Sequence, residues 1–336
     1  MQSGLKNGIL IAIVGVLILG GIGAYYFGPS TKEMVTIGIA RWSDNPEFGR
    51  SVDGFKQGLA KNGYKEGENV RFIVKDPQAN LDRQREIISS FVADDVDLIF
   101  SLTTPGTVIA KEITGKMENP IPVVFSVCTY PVESNLIASL ESSKNNLVGT
   151  RNYVPFPQQY FVFERLYPDT KSIAVVRRQG EPNSTNQFGE VKILLETRGI
   201  RVVDIAAVDL DDMRTKLSDV IGQVDSIYST CDTLTHSKGG EELIVELALK
   251  HKKPSFACNK EGVLKGHLVG NVGDFHAIAQ ISGEKAALIL KGAKPSWLKT
   301  ESPRDNYIIL NQKTADIIEL AVPKDILETA KEIVKN

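Results

Sequence analysis

The sequence predicts an α/β chain of two doubly wound parallel-sheet lobes, preceded by one N-terminal apolar helix. Three observations carry that prediction. Short apolar runs alternate with amphipathic helical stretches from Val35 onward, the pattern of a parallel sheet covered by helices. The pattern restarts after Leu147–Thr150. The chain has 336 residues, more than one ordinary core accommodates and enough for two.

Gly8 to Phe27 is an uncharged apolar stretch of 20 residues, long enough to cross a bilayer as a helix. Lys6 precedes it, which places the N-terminus inside and the bulk of the chain outside. A cleaved signal peptide is the competing reading. It would have a shorter apolar core followed by a small-x-small cleavage site. Here Tyr25, Tyr26 and Phe27 follow instead, an interfacial aromatic belt, and this favours an uncleaved anchor at the cell membrane. No cysteine lies near for lipid modification, and residues 28–33 read as a tether.

In the first lobe, Val35–Ala40 reads as a strand and Arg41–Pro46 as the loop after it. A helix from about Glu47 puts Phe48, Val52, Phe55 and Leu59 on one face and stops at Asn62–Gly63. Val70–Lys75 is the next strand, and Leu81–Ala93 is a helix with Ile87, Ile88 and Phe91 toward the sheet. Leu98–Leu102 is a short, wholly apolar-flanked run that reads as a buried strand. It ends in Thr103-Thr104-Pro105-Gly106, and a helix is expected from about Thr107. Pro122–Ser126 is a further strand, followed by the loop Cys128-Thr129-Tyr130-Pro131.

In the second lobe, helices are expected at about 157–167, 185–198, 211–221, 237–251 and 274–291. Strands are expected at Ser172–Arg177, Val202–Val208, Ser226–Ser229 and Pro254–Ala257. Ile308–Leu310 is a last strand, followed by a helix from Lys313 to Ala321 and, after Pro323, a helix to Val334. Right-handed crossovers put the post-strand loops of each lobe on one edge. Ligands of open α/β sheets bind outside those carboxyl ends, and two such edges facing each other form a cleft.

The candidate ligand-binding residues lie on those loops. Thr103 and Thr104, with the free N–H groups of the following helix, suit a carboxylate. Arg41 can pair with a carboxylate, or merely with Asp44. Trp42 and Tyr130 can stack on a flat ligand or pack over the sheet end. Asn183 and Ser184 open a helix, as ligand contacts or as N-caps. Thr230 and Asp232 end a strand, where the carboxylate either caps a turn or meets a cationic group. Glu261 follows the next strand and offers a second carboxylate.

Composition excludes several function classes. A net charge of −2 gives no electrostatic footprint for nucleic acid. Cys128, Cys231 and Cys258 are an odd count without CxxC spacing, which gives neither a disulfide framework nor a zinc site. His236, His251, His267 and His276 lack metal-ligand spacing, and no cofactor is expected. Gly106–Lys116 fails as a P-loop, and no nucleophile elbow, His-Glu-x-x-His or dinucleotide fingerprint occurs. An enzyme is therefore not expected.

Several segments together resemble the substrate-binding proteins of ABC transporters, in the tryptophan/tyrosine-type branch of the periplasmic-binding-protein-like (type I) family. Gly54-Phe55, Leu59 and Gly63-Tyr64-Lys65-Glu66-Gly67-Glu68-Asn69-Val70 match that branch's first helix and turn. Asp97-Leu98-Ile99 with Thr104-Pro105 matches its strand and binding turn. Ile121–Phe125 with Pro131-Val132, Asn146–Thr150, Glu181-Pro182-Asn183-Ser184, Ile309–Asn311 to Ala315, and Val322–Ala330 continue the match in order. The resemblance spans about Val35 to Val334.

It implies a hinged, monomeric two-lobe protein that closes on a small solute, an amino acid or related carboxylate. It also implies a permease and a separate ATPase subunit as partners. The lobes become discontinuous: 34–148 with about 258–300, and 149–257 with about 301–336. One departure stands out. The branch usually has an aspartate before the Pro-Val of the fifth loop, and this chain has Tyr130. A tyrosine cannot pair with an ammonium group as an ion, so either the solute is not a standard aromatic amino acid, or Asp232, or Glu261 from the opposite lobe, supplies the charge. An extracellular sensor that presents its solute to a separate receptor is the alternative reading. An enzyme on the same fold is a further one, and it would need convergent carboxylates or a metal site in the cleft.

Overall fold

The computed structural model describes residues 34–335. The anchor expected at 8–27 and the tether at 28–33 lie outside the described residues. In the first lobe, β1 (Val35–Ala40), β2 (Val70–Lys75), β3 (Leu98–Leu102), β4 (Val123–Ser126) and β5 (Leu147–Thr150) lie in the order β2-β1-β3-β4-β5. The pairs β1–β3, β3–β4 and β4–β5 are parallel, with Ile39 opposite Phe100 and Phe100 opposite Val124. Helices α1 (Pro46–Lys61), α2 (Leu81–Ala93) and α3 (Thr104–Thr114) connect them.

The second lobe holds β6 (Ser172–Arg178), β7 (Arg201–Ala207), β8 (Ser226–Ser229), β9 (Ser255–Ala257), β10 (Val269–Gly273), β11 (Asn306–Asn311) and β12 (Glu332–Val334). Their order is β12-β11-β10-β9-β8-β6-β7. Pairing is parallel except for β10 with β11. Its helices are α4 (Phe156–Leu166), α5 (Pro182–Thr197), α6 (Leu210–Val220), α7 (Gly240–Lys250), α8 (Lys260–Lys265), α10 (Gln312–Ile317) and α11 (Lys324–Thr329). Between α8 and α10 in sequence, α9 (Phe275–Leu290) leaves this lobe and packs along α1 of the first. The chain passes between lobes at 151–155, at Asp274 and near 301–305. Two of these crossings are tied together, Arg151 N–H donating to the Glu301 carbonyl at 2.8 Å.

Sequence expectation and structure differ most at the following places. The segment 258–273, expected with the first lobe, belongs to the second, because β10 pairs with β9 and β11. This strand, Val-Gly-Asn-Val-Gly, is weakly β-forming and escapes detection by propensity. It is fixed by its position between two strands, with all five residues buried. The last helix ends at Thr329, and Glu332–Val334 forms an edge strand against Ile309–Asn311. Helix α3 begins at Thr104, not near Thr107, since Pro105 fits the first turn, where its missing N–H costs nothing. Helix α5 begins at Pro182 for the same reason.

Helices α1 and α9 touch backbone to backbone. A Cβ on Gly54 would sit 2.1 Å from the His276 carbonyl oxygen, and one on Gly58 would sit 2.2 Å from that of Gln280. From the other side, a Cβ on Gly283 would sit 2.2 Å from the Phe55 carbonyl oxygen. Close approach lets Phe55 stack on Phe100 of the sheet, ring centroids 3.9 Å apart. We expect Gly58→Ala and Gly283→Ala each to destabilise the chain by about 1–3 kcal/mol or more through overpacking. The readout is a lower urea midpoint at unchanged slope. Gly49 lies on the same helix with nothing within 4 Å of a built Cβ. Gly49→Ala should therefore stabilise by up to ~1 kcal/mol, which separates the packing effect from helix propensity.

Candidate solute-binding cleft

The carboxyl-end loops of the two sheets face each other across a cavity of about 850 Å³. Its first-lobe wall contains Trp42, Phe48, Thr103 and Thr104, and its second-lobe wall contains Glu181, Asn183, Asp232, His236 and Glu261. Phe275, at the start of α9, reaches the cavity beside Phe48, with ring centroids 6.4 Å apart.

The first-lobe wall carries backbone strain. Trp42 (φ 80°), Gln78 (54°), Ala79 (56°), Thr103 (67°) and Val127 (59°) all adopt the left-handed region, and all five line the cavity. Each follows the end of one of the strands β1 to β4. For a β-branched residue such as Thr103 or Val127 this conformation is a genuine outlier. Strain of about 1–3 kcal/mol per residue persists only where the surroundings over-determine it, and it clusters at ligand sites.

Thr103 caps α3, its Oγ1 accepting the Gly106 N–H at 3.4 Å. Thr104 sits at the first helical position, with its Oγ1 buried and without a hydrogen-bond partner among the described residues. The Trp42 indole covers the same turn, Cε3 lying 3.3 Å from where a Cβ on Gly106 would be. This wall offers donors and an apolar ring.

The second-lobe wall offers acceptors. One oxygen of Glu181, Oε2, accepts the Thr233 N–H at 3.2 Å and the Thr233 hydroxyl at 2.5 Å. The other, Oε1, is buried and has no partner among the described residues. Burial, and then the negative charge of Asp232, push the Glu181 carboxyl up to about 7. Asn183 donates Nδ2–H to the Cys231 carbonyl, and its Oδ1 is likewise buried and unpartnered among the described residues.

Six of the ten residues expected from sequence meet on the cavity wall: Trp42, Thr103, Thr104, Asn183, Asp232 and Glu261. Asp232, though on the wall, is fully engaged by protein. Its Oδ1 accepts the N–H groups of Leu234 and Thr235 at 2.9 and 2.8 Å. Its Oδ2 accepts the Arg178 N–H at 2.9 Å and the Thr230 hydroxyl at 2.6 Å. Glu261 lies 3.9 Å from Lys265, an i,i+4 neighbour on α8.

The other four are not on that wall. Arg41 pairs with Asp76 at 2.7 Å, not with Asp44. Ser184 is wholly buried and donates to the carbonyls of Arg178 and Glu181 at 2.6 and 3.1 Å, which pins the turn before α5. Thr230 donates to Asp232 and to the Val176 carbonyl, holding the loop after β8. Tyr130 lies beneath the cavity, 5% exposed. Its hydroxyl donates to Glu190 Oε2 on α5 at 2.5 Å, while Tyr153 on the crossing segment donates to Glu190 Oε1 at 2.7 Å. Burial and the Glu190 carboxylate hold the Tyr130 phenol far above its ordinary range, so it stays a donor.

Sequence reading missed Glu181, Phe48, Phe275 and His236 as wall residues. Glu181 was visible as the acidic residue opening the Glu-Pro-Asn-Ser loop. Phe48 and Phe275 were visible as apolar residues in the first turns of the two helices whose N-termini meet. The cysteine reading is also corrected: Cys231 and Cys258 form a disulfide, with their Cα atoms 5.7 Å apart. They follow β8 and β9, neighbouring parallel strands in which Ser229 faces Ala257, a proximity that their separation of 27 residues conceals.

Residues 36–334 match the family described as ABC transporter substrate binding protein. The chain belongs to that family. A tyrosine-binding protein of Clostridioides difficile (strain R20291) is 26% identical over 290 residues, 86% of this chain and 82% of that one. The domain from Streptococcus pneumonia solved in complex with L-Trp superposes with a TM-score of 0.83 at 24% identity, over 90% of this chain and all of the other. A ligand-free, open substrate binding protein with adhesive properties from Clostridium difficile gives 0.71 at 25% identity, over 90% and 100%. The two-lobed fold of this substrate-binding protein is therefore that of its relatives, and those relatives are binding proteins, not enzymes.

An unfolded glutamate ionises near 4.5, whereas Glu181 in the fold holds its proton up to about 7. Between those pH values the native state binds the extra proton, so stability falls as pH rises across the window and stays low above it. At about 1.36 kcal/mol per pKa unit the loss amounts to roughly 3 kcal/mol. Glu181→Gln should therefore raise the melting temperature of the solute-free protein at pH 8 and leave it nearly unchanged at pH 4, as measured by thermal unfolding.

Proposed function

We propose that the chain is the extracytoplasmic solute-binding component of an ABC importer, and that its solute is an aromatic α-amino acid. One observation carries this reading: residues with buried, unpartnered polar atoms lie on both walls of the cleft. On the first lobe, the Thr104 hydroxyl and the N-terminal N–H groups of α3 suit a carboxylate. On the second, Glu181 Oε1 and Asn183 Oδ1 are acceptors that suit an ammonium group. Unpartnered buried polar atoms cost about 1–3 kcal/mol each, and a zwitterion bound between them satisfies all three.

In this reading Glu181 supplies the negative charge that Tyr130 cannot, and Asp232 acts by setting the loop and raising the Glu181 pKa. Trp42, Phe48 and Phe275 provide an apolar wall for a ring. The tyrosine and L-Trp of the relatives' names have this chemistry. Residues 8–27 hold the protein at the outer face of the membrane, and hinge opening hands the solute to the permease on a μs–ms scale.

A thermal-shift screen of purified, ligand-free protein tests the reading. Ligand at 100 times its Kd stabilises the native state by about 2.7 kcal/mol. Tryptophan, tyrosine or phenylalanine should raise the melting temperature. Tryptamine, which lacks the carboxylate, and indole-3-propionate, which lacks the amine, should not. A shift with sugars alone, or with no solute, would refute it.

Two further outcomes are expected. Pairing with an ammonium requires the Glu181 carboxylate, so amino-acid binding near pH 7 should release a proton, seen by calorimetry in buffers of different ionisation enthalpy. Glu181→Gln should abolish that release. Removing the Tyr130 hydroxyl (Tyr130→Phe) touches no cavity wall but deletes an inter-lobe hydrogen bond to a carboxylate. Such a bond is worth about 1.5–3 kcal/mol. The variant should bind solute at least about tenfold more weakly, with no change in which amino acid is preferred.

A further inference from the structure

We propose that reduction of the Cys231–Cys258 disulfide converts the second-lobe wall into a Cys₂His site for a thiophilic divalent cation such as zinc. The ligand atoms are already gathered. Cys231 Sγ, Cys258 Sγ and a ring nitrogen of His236 all lie within 4.8 Å of one another. The two cysteines project from neighbouring parallel strand ends with Cα atoms 5.7 Å apart, and His236 Nε2 lies 3.4 Å from Cys258 Sγ.

The histidine is oriented for ligation. Its Nδ1 lies 2.7 Å from Glu241 Oε1. An ionised carboxylate only accepts, so Nδ1 carries the proton and Nε2 presents its lone pair toward the sulfurs. The Asn259 side-chain nitrogen lies 2.6 Å from Nε2 and 2.9 Å from Nδ1, against the ring and off the Nε2 lone pair, which leaves that lone pair for the cation. Glu241 is itself immobile: wholly buried at 1% exposure, it also meets His267 Nε2 at 2.8 Å and the Ser229 hydroxyl at 3.1 Å. Carboxylate, imidazole and cation in line is the arrangement by which proteins fix a metal-binding histidine. Cys231 and His236 border the cavity, so a fourth coordination position opens to water or solute, as in three-ligand zinc sites.

The chemistry balances. A phosphine supplies two electrons, and water supplies two protons and the oxygen of the phosphine oxide; the S–S bond breaks and two thiols form. Cation binding then forms two metal–sulfur bonds and returns both thiol protons to solvent.

The test uses the full chain, reduced with a water-soluble phosphine and titrated with Co²⁺ as an optical stand-in for zinc. The expected result is one equivalent bound, with near-ultraviolet thiolate-to-cobalt charge-transfer absorption and intense visible bands of tetrahedral type. Zn²⁺ should bleach them, about two protons should be released, and the disulfide form should stay colourless. Cys258→Ser should lose the charge-transfer band. His236→Ala, which leaves both thiols and the disulfide-forming strands in place, should weaken cobalt binding at least about tenfold. No thiolate band in the folded, reduced chain would overturn the proposal. So would a band indifferent to His236→Ala, or a reduced chain that unfolds and is not recovered by the metal.

Discussion

The contact between α1 and α9 decides where everything else lies. In sequence, α9 is flanked by two strands of the second lobe, yet it packs on the first. It does so because Gly54, Gly58 and Gly283 remove the side chains that would hold the helices apart. The contact recruits a distant stretch of chain into the first lobe and forces the chain to cross between the lobes. It also fixes the N-termini of both helices at the cleft, which places Phe48 against Phe275. Three missing methyl-sized groups thus position the apolar floor of the cavity.

Above that floor the two lobes contribute unlike chemistry. The first-lobe wall is built from turns in left-handed backbone conformations and presents donors. The second-lobe wall presents acceptors, with one carboxylate consumed by its own loop and a neighbouring one left half-satisfied. The proximity of Asp232 and Glu181 costs stability and raises the Glu181 pKa. Removing Asp232 would relieve that repulsion but release the loop that Thr230, Leu234 and Thr235 anchor to it. Five of the ten non-glycine residues with left-handed backbone among the described residues lie on the cleft, where local rules of sequence preference are expected to fail.

Much of this was legible in sequence. The alternation of apolar runs and amphipathic helices gave the lobes, and Thr103-Thr104-Pro105 at a strand end gave a turn on the cleft. Asn183 and Asp232 were legible for the same reason, since strand-to-helix turns of parallel sheets share an edge. What escaped depended on three-dimensional register. The strand Val269–Gly273 has a composition that argues against strand formation and is held by its neighbours. Cys231 and Cys258 meet only once β8 and β9 are aligned. Tyr130, Ser184 and Thr230 occupy cleft-edge loops in sequence but turn inward to satisfy buried carbonyls and carboxylates, a choice that spacing cannot reveal. Glu181 was passed over because its importance lies in an atom that has no partner.

The Tyr130–Glu190–Tyr153 bridge bears on how such a molecule changes shape. One tyrosine belongs to the first lobe, the carboxylate to the second, and the other tyrosine to the segment that crosses between them. A hydrogen bond to a carboxylate keeps its strength over only a few tenths of an ångström of stretch, whereas admitting a solute requires the cavity mouth to part by several. Any opening must break the Tyr130 half of the bridge early, before the cleft has widened enough to exchange its contents. Partial opening therefore carries the full energetic penalty with none of the access, which disfavours intermediate angles. The Tyr153 half joins Glu190 to the segment that crosses between the lobes, independently of Tyr130. For the hinge motion proposed above, the Tyr130 phenol is a latch between the lobes that acts alongside the solute.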